Sequence, residues 1–143
     1  MTETDIISSI RKFNRFYART LGVFDKYALN TTYTLAQARI IGELGRNKGC
    51  TANSIALYLD MDRSYVARII NGFEKNDILV KKDSSEDFRK KHLFLTIKGI
   101  SIYQELELRS DNKVKNQIQN LSSKSLADLQ KSMNTILEIL EKD

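Results

Sequence analysis

The 143 residues contain no proline, six glycines, one cysteine and one histidine. With so few breakers, long helices can propagate, and a mostly helical chain is expected. The single cysteine, Cys50, excludes an internal disulfide and suits a reducing compartment. Neither Cys50 nor His92 has a second histidine or cysteine at ligand spacing, so no metal centre is expected. No serine sits in a nucleophile elbow and no glycine-rich loop has phosphate-binding spacing, so neither an enzyme nor a bound cofactor is expected. The apolar runs are short and interrupted, which leaves no signal peptide or membrane span and makes the cytoplasm the expected location.

What is present is an ordinary globular composition, 41% hydrophobic and 29% charged, long enough for a single domain over residues 1–143 with a sizeable core. Net charge is +5 with a pI near 9.3, which favours an acidic polymer as partner without requiring one.

Residues 51–98 organise the chain. Thr51 can cap a short helix on which Ile55, Ala56 and Leu59 share one face. Asp60 and Met61 make a turn in which Asp60 tolerates a left-handed conformation, and Asp62 caps a second helix running to Lys75. Val66, Ile69, Ile70 and Phe73 form its inward stripe. The opposite face carries Arg63, Ser64, Tyr65, Ala67, Arg68 and Asn71, with Lys75 at the far end. A solvated face would more usually hold Glu, Lys and Gln. Arg can instead fork onto guanine, Asn onto adenine, and Ser or Tyr can reach phosphates or bases.

Ile78–Lys82 and Lys91–Thr96 then read as two strands joined by the polar segment 83–90. From residue 78 to 98 there are six Lys or Arg against three acids, a balance of +3. Alone, such a hairpin is as well explained by gatekeeping charges on a strand edge. Beside the helix pair, it reads as a wing with Asp87, Arg89 and Lys90 placed for phosphates or a minor groove.

In these segments the chain resembles the MarR family of winged-helix transcriptional regulators. Asp87 and Arg89, followed by Leu93, Leu95, Thr96 and Gly99, are similar to the family's pattern of Asp-x-Arg and Leu-x-Leu-Thr-x-x-Gly. Phe88 stands where the family most often has a further arginine. The resemblance implies that Asp87 buttresses Arg89 and that Arg89 enters the minor groove. Segments 10–22 and 61–70 further resemble the branch fused to an acetyltransferase. The chain stops where that enzyme would begin, and only the DNA-binding half is carried over.

The fold expected is therefore mainly α with a small β-hairpin wing. A winged helix-turn-helix over 34–96 would be flanked by dimerisation helices at 5–29 and 97–143. Ile6, Ile10, Phe13, Tyr17, Leu21, Phe24 and Ala28 make a stripe along the first. Arg11, Lys12, Arg15 and Arg19 lie off that stripe, most simply as a solvated flank or dimer rim. Thr34 and Gln37 form a capping box for the next helix, to about Arg46. Thr96 can cap a helix to about Asn120, and Ser122 caps a last one whose Leu126, Leu129, Met133, Ile136, Leu137 and Leu140 recur like heptad positions.

The function expected is a homodimeric repressor of transcription that binds a pseudo-palindromic operator in double-stranded DNA. The resemblance further implies release by a small aromatic or phenolic effector near Tyr17, Phe24 and Tyr33, although ordinary aromatic core is the favoured explanation of each. The alternative is a winged-helix interaction module, or a regulatory subunit for a separately encoded acetyltransferase.

Overall fold

The structure, a computed structural model, describes residues 1–141. It divides into two compact units, Met1–Glu107 and Leu108–Asp143.

The first unit opens with α1, Glu3–Leu21, entered through a capping box between Thr2 and Asp5. The helix is shorter than the apolar stripe implies. Gly22 takes a left-handed conformation (φ 69°), and its N–H turns back onto the carbonyls of Ala18 and Arg19. A glycine free to adopt positive φ ends the helix there. Phe24 and Ala28 therefore lie beyond it, although they continue its spacing. A 3-10 turn follows at Ala28–Asn30, with Leu29 and Asn30 both left-handed. It is closed by Ala28 N–H donating to the Tyr33 carbonyl at 2.7 Å and Thr31 Oγ1 donating to the Ala28 carbonyl at 2.6 Å.

Helix α2, Leu35–Arg46, starts at the capping box of Thr34 and Gln37. Helices α3, Ala52–Leu59, and α4, Arg63–Lys75, form the helix-turn-helix. Thr51 and Asp62 cap them, and Asp60 between them is left-handed at φ 52°. Strands β1, Leu79–Asp83, and β2, Lys91–Leu95, pair antiparallel, with Leu79 opposite Leu95 and Asp83 opposite Lys91. Segment 49–50 extends this hairpin: Gly49 N–H donates to the Leu93 carbonyl, and Leu93 N–H to the Cys50 carbonyl. The entry to α3 is thereby tied to the wing.

The core of this unit joins Ile40, Ile41 and Leu44 of α2 to Ile55 and Ala56 of α3 and to Val66, Ile70 and Phe73 of α4. Ile78, Leu79, Leu93 and Leu106 complete it. The cluster fixes α4 against the other helices by apolar burial on one face only, which leaves its polar face outward. Glu43 is the charged member of this interior, at 5% exposure. Its carboxylate accepts from Arg46 at 3.0 Å and Asn47 at 2.9 Å, so the buried charge is paired.

Helix α5, Ile97–Ile118, runs through the boundary between the units, and α6, Ser123–Leu140, is capped by Ser122. Neither α1 nor α6 contains a buried residue. On α1, Ile6, Ile10, Phe13 and Leu21 are all more than 40% exposed, as are Leu129, Leu137 and Leu140 on α6.

Candidate nucleic-acid interface

Helix α4 is set by the turn before it. Met61 N–H donates to the Ala56 carbonyl at 2.9 Å, and Asp62 Oδ2 accepts from Tyr65 N–H at 2.9 Å. Its first-turn donors are thus partly satisfied, and Arg63 and Ser64 stand exposed at its start.

The exposed face of α4 borders two clefts. Arg63, Ser64 and Asn71 line the larger, about 740 Å³, together with Arg89 and Lys90 of the wing and Thr51, the cap of α3. Tyr65 and Arg68 line the smaller, about 510 Å³, with Tyr33, Gln37, Gly72 and Lys98. The guanidinium of Arg68 lies over the Tyr65 ring at 5.8 Å from its centroid. Lys75, at the end of α4, lines neither cleft.

The wing tip is an ordered turn. Ser84, 8% exposed, accepts at Oγ from the backbone N–H of Glu86 and Asp87 (3.3 and 3.4 Å), and Ser84 N–H donates to the Lys90 carbonyl. Asp87 meets Arg89 through the backbone: its Oδ1 accepts from Arg89 N–H at 2.9 Å. The carboxylate thus shapes the turn and leaves the Arg89 side chain exposed. Phe88 is 78% exposed beside it. Lower in the hairpin, Lys91 pairs with Asp83, and His92 Nδ1 meets the Gly49 carbonyl at 2.8 Å, so this histidine serves the join to α3.

Of the three aromatic residues considered for an effector, Tyr33 lines the smaller cleft and Tyr17 and Phe24 do not. Tyr17 packs on Phe13, ring centroids 4.9 Å apart, and Phe24 is 87% exposed. Cys50 is half-buried, and burial pushes its thiol pKa up, which keeps it a poor nucleophile. Among the described residues, no group of three or more His, Cys, Asp or Glu is placed to hold a metal ion, and no helix is long and apolar enough to cross a membrane.

One residue of the site escapes a sequence reading. Lys81 of β1 donates to Asn71 Oδ1 at 2.6 Å and lies 3.6 Å from Glu74. Its signal was available in the strand's alternation, since Lys81 shares a face with buried Leu79 and so faces α4.

Residues 31–90 match the model of the MarR family. A curated relative, a putative transcriptional regulatory protein for the hcr operon of Thauera aromatica, is 25% identical over 101 residues. That alignment covers 71% of this chain and 55% of the relative, so the match spans about half the length of the curated protein. Among solved structures, Streptococcus pneumoniae FabT in complex with DNA superposes with a TM-score of 0.78 at 19% identity, covering 94% of this chain and 97% of that one. A putative MarR family regulator from Listeria monocytogenes, complexed with a 26mer DNA, gives 0.72 at 19% identity, covering 92% and 87%. Segment 31–90 thus matches the MarR family, and the chain that carries it has the winged-helix fold of these solved structures.

Proposed function

We propose that this chain is a regulator of transcription that binds double-stranded DNA sequence-specifically. The observation that carries this reading is the larger cleft, where Arg63, Ser64 and Asn71 of α4 face the same space as Arg89 and Lys90 of the wing. Hydrogen-bonding side chains on a rigid helix suit base edges in a major groove, and flexible cations on a hairpin suit phosphates or a minor groove. That two structures of the same fold were solved with DNA supports the same partner.

In this reading Arg63, Ser64, Tyr65, Arg68 and Asn71 meet bases and nearby phosphates, Lys75 meets backbone, and Asp87 holds the turn that presents Arg89 and Lys90. The exposed apolar faces of α1 and α6 are covered by a second copy, forming a cytoplasmic homodimer. A two-fold protein then requires a pseudo-palindromic operator with half-sites about 10 bp apart. The protein represses by occupying that operator. A small effector that enters the cleft beside Tyr33 and engages Arg68 releases it. Tyr17 and Phe24 join this account only if the dimer brings them near that cleft.

The test is fluorescence anisotropy with a labelled duplex from the DNA upstream of the gene, at physiological salt with excess random competitor. Binding that survives competitor, at one dimer per palindrome, supports the reading. Loss of all binding to competitor contradicts it for that DNA.

A further inference from the structure

Lys81 joins the wing to the reading helix, and its hydrogen bond constrains what Asn71 can recognise. The ammonium donates to Asn71 Oδ1 at 2.6 Å, with Glu74, three residues further along α4, at 3.6 Å holding the charge in place. An ammonium has donors and no acceptor, so the Asn71 amide must turn its oxygen toward Lys81. Its NH2 group is left for the larger cleft, which Asn71 lines with Arg63 and Arg89.

An asparagine forks onto adenine by accepting from N6 and donating to N7. Here one of that oxygen's two lone pairs is engaged by a cation, which sets positive charge where the adenine N6 donor would approach, weakens the oxygen as an acceptor and strengthens the amide hydrogens as donors. Guanine offers two acceptors, N7 and O6, on the same edge. We propose that Lys81 is a positioning residue that turns Asn71 into a donor for guanine, in place of the adenine fork that an unconstrained asparagine makes. This rests on the DNA-binding reading above.

The experiment is selection of bound duplexes from a random-sequence pool, run with the wild-type protein and with Lys81→Met, Lys81→Arg and Asn71→Ala. Asn71→Ala identifies the position that Asn71 reads, as the one whose preference becomes flat. Wild type and Lys81→Arg, which keeps a donor, should enrich guanine there. Lys81→Met should move the preference toward adenine by about fivefold or more, with the rest of the motif unchanged. Adenine at that position with wild type, or a Lys81→Met motif identical to the wild-type one, overturns the proposal and leaves the DNA reading intact. No enriched motif with any of the proteins overturns both. If Lys81→Met fails to fold by circular dichroism, the wild-type base at the position mapped by Asn71→Ala still decides.

Discussion

Two glycines of the first unit should respond to the same substitution with opposite signs. Gly99 is buried in the first turn of α5. A Cβ there would run into the Ile78 carbonyl oxygen and crowd Leu95 Cδ2 at 3.0 Å. That carbonyl is not free to step aside, because it accepts from Thr96 N–H at 2.9 Å and Thr96 Oγ1 at 3.1 Å. Overpacking of this kind costs about 1–3 kcal/mol, and a weakened hydrogen bond adds about 1 kcal/mol. Against this stands a gain of at most about 1 kcal/mol from alanine's helix propensity. Gly99→Ala should therefore destabilise by about 1–3 kcal/mol. At Gly72, in α4, an added Cβ would meet nothing within 4 Å, so Gly72→Ala should stabilise by about 0.5–1 kcal/mol. Urea unfolding at one fixed protein concentration, followed by far-UV circular dichroism, measures both. A Gly99→Ala protein as stable as wild type would refute the close approach of α5 to Ile78 that anchors the wing.

Further expectations concern the interface and the thiol. Arg68→Ala should cost about 1–3 kcal/mol of specific DNA affinity and relax one base position per half-site; uniform weakening across sequences, read by competition anisotropy, would make it a phosphate contact instead. Arg89→Ala should weaken binding and lower the slope of log affinity against log salt by about 1, while an unchanged affinity would remove the wing from the account. Phe88→Arg should raise that slope by a similar amount, about 1, if the wing tip reaches phosphates; no change would place residue 88 away from DNA. Cys50 should alkylate slowly with iodoacetamide at neutral pH and much faster in urea, because burial raises its thiol pKa and limits access. Rapid labelling of the native protein would contradict its half-buried position.

Much of this fold is legible in the sequence because its boundaries are set by local chemistry. Thr51, Asp62 and Ser122 cap helices by accepting from N–H groups a few residues on, and Asp60 fills a left-handed turn position. Each of these depends on neighbours within one turn. The end of α1 is different: an apolar stripe continues through Phe24 and Ala28, yet Gly22 stops the helix by turning left-handed. Periodicity reports what a face is made of, and the glycine decides whether the backbone continues.

The candidate site divides along the same line. The polar face of α4 and the basic wing can be read from residue type and spacing. That Arg63 and Asn71 border one cleft while Tyr65 and Arg68 border another depends on α2, α3 and the wing, which come together only in the folded unit. The Lys81–Asn71 bond likewise joins residues ten apart on a helix and a strand. Asp87 engages the Arg89 backbone N–H within the turn that Ser84 N–H closes onto the Lys90 carbonyl, a contact that residue type alone does not specify.

In the proposed function, α4 and the wing together recognise a two-fold DNA sequence. Selection by the wild-type protein from a random duplex pool at physiological salt tests it without prior choice of a target. An enriched inverted repeat with half-sites about 10 bp apart is the expected result. A pool that stays random, with only salt-labile binding to any duplex, would contradict it.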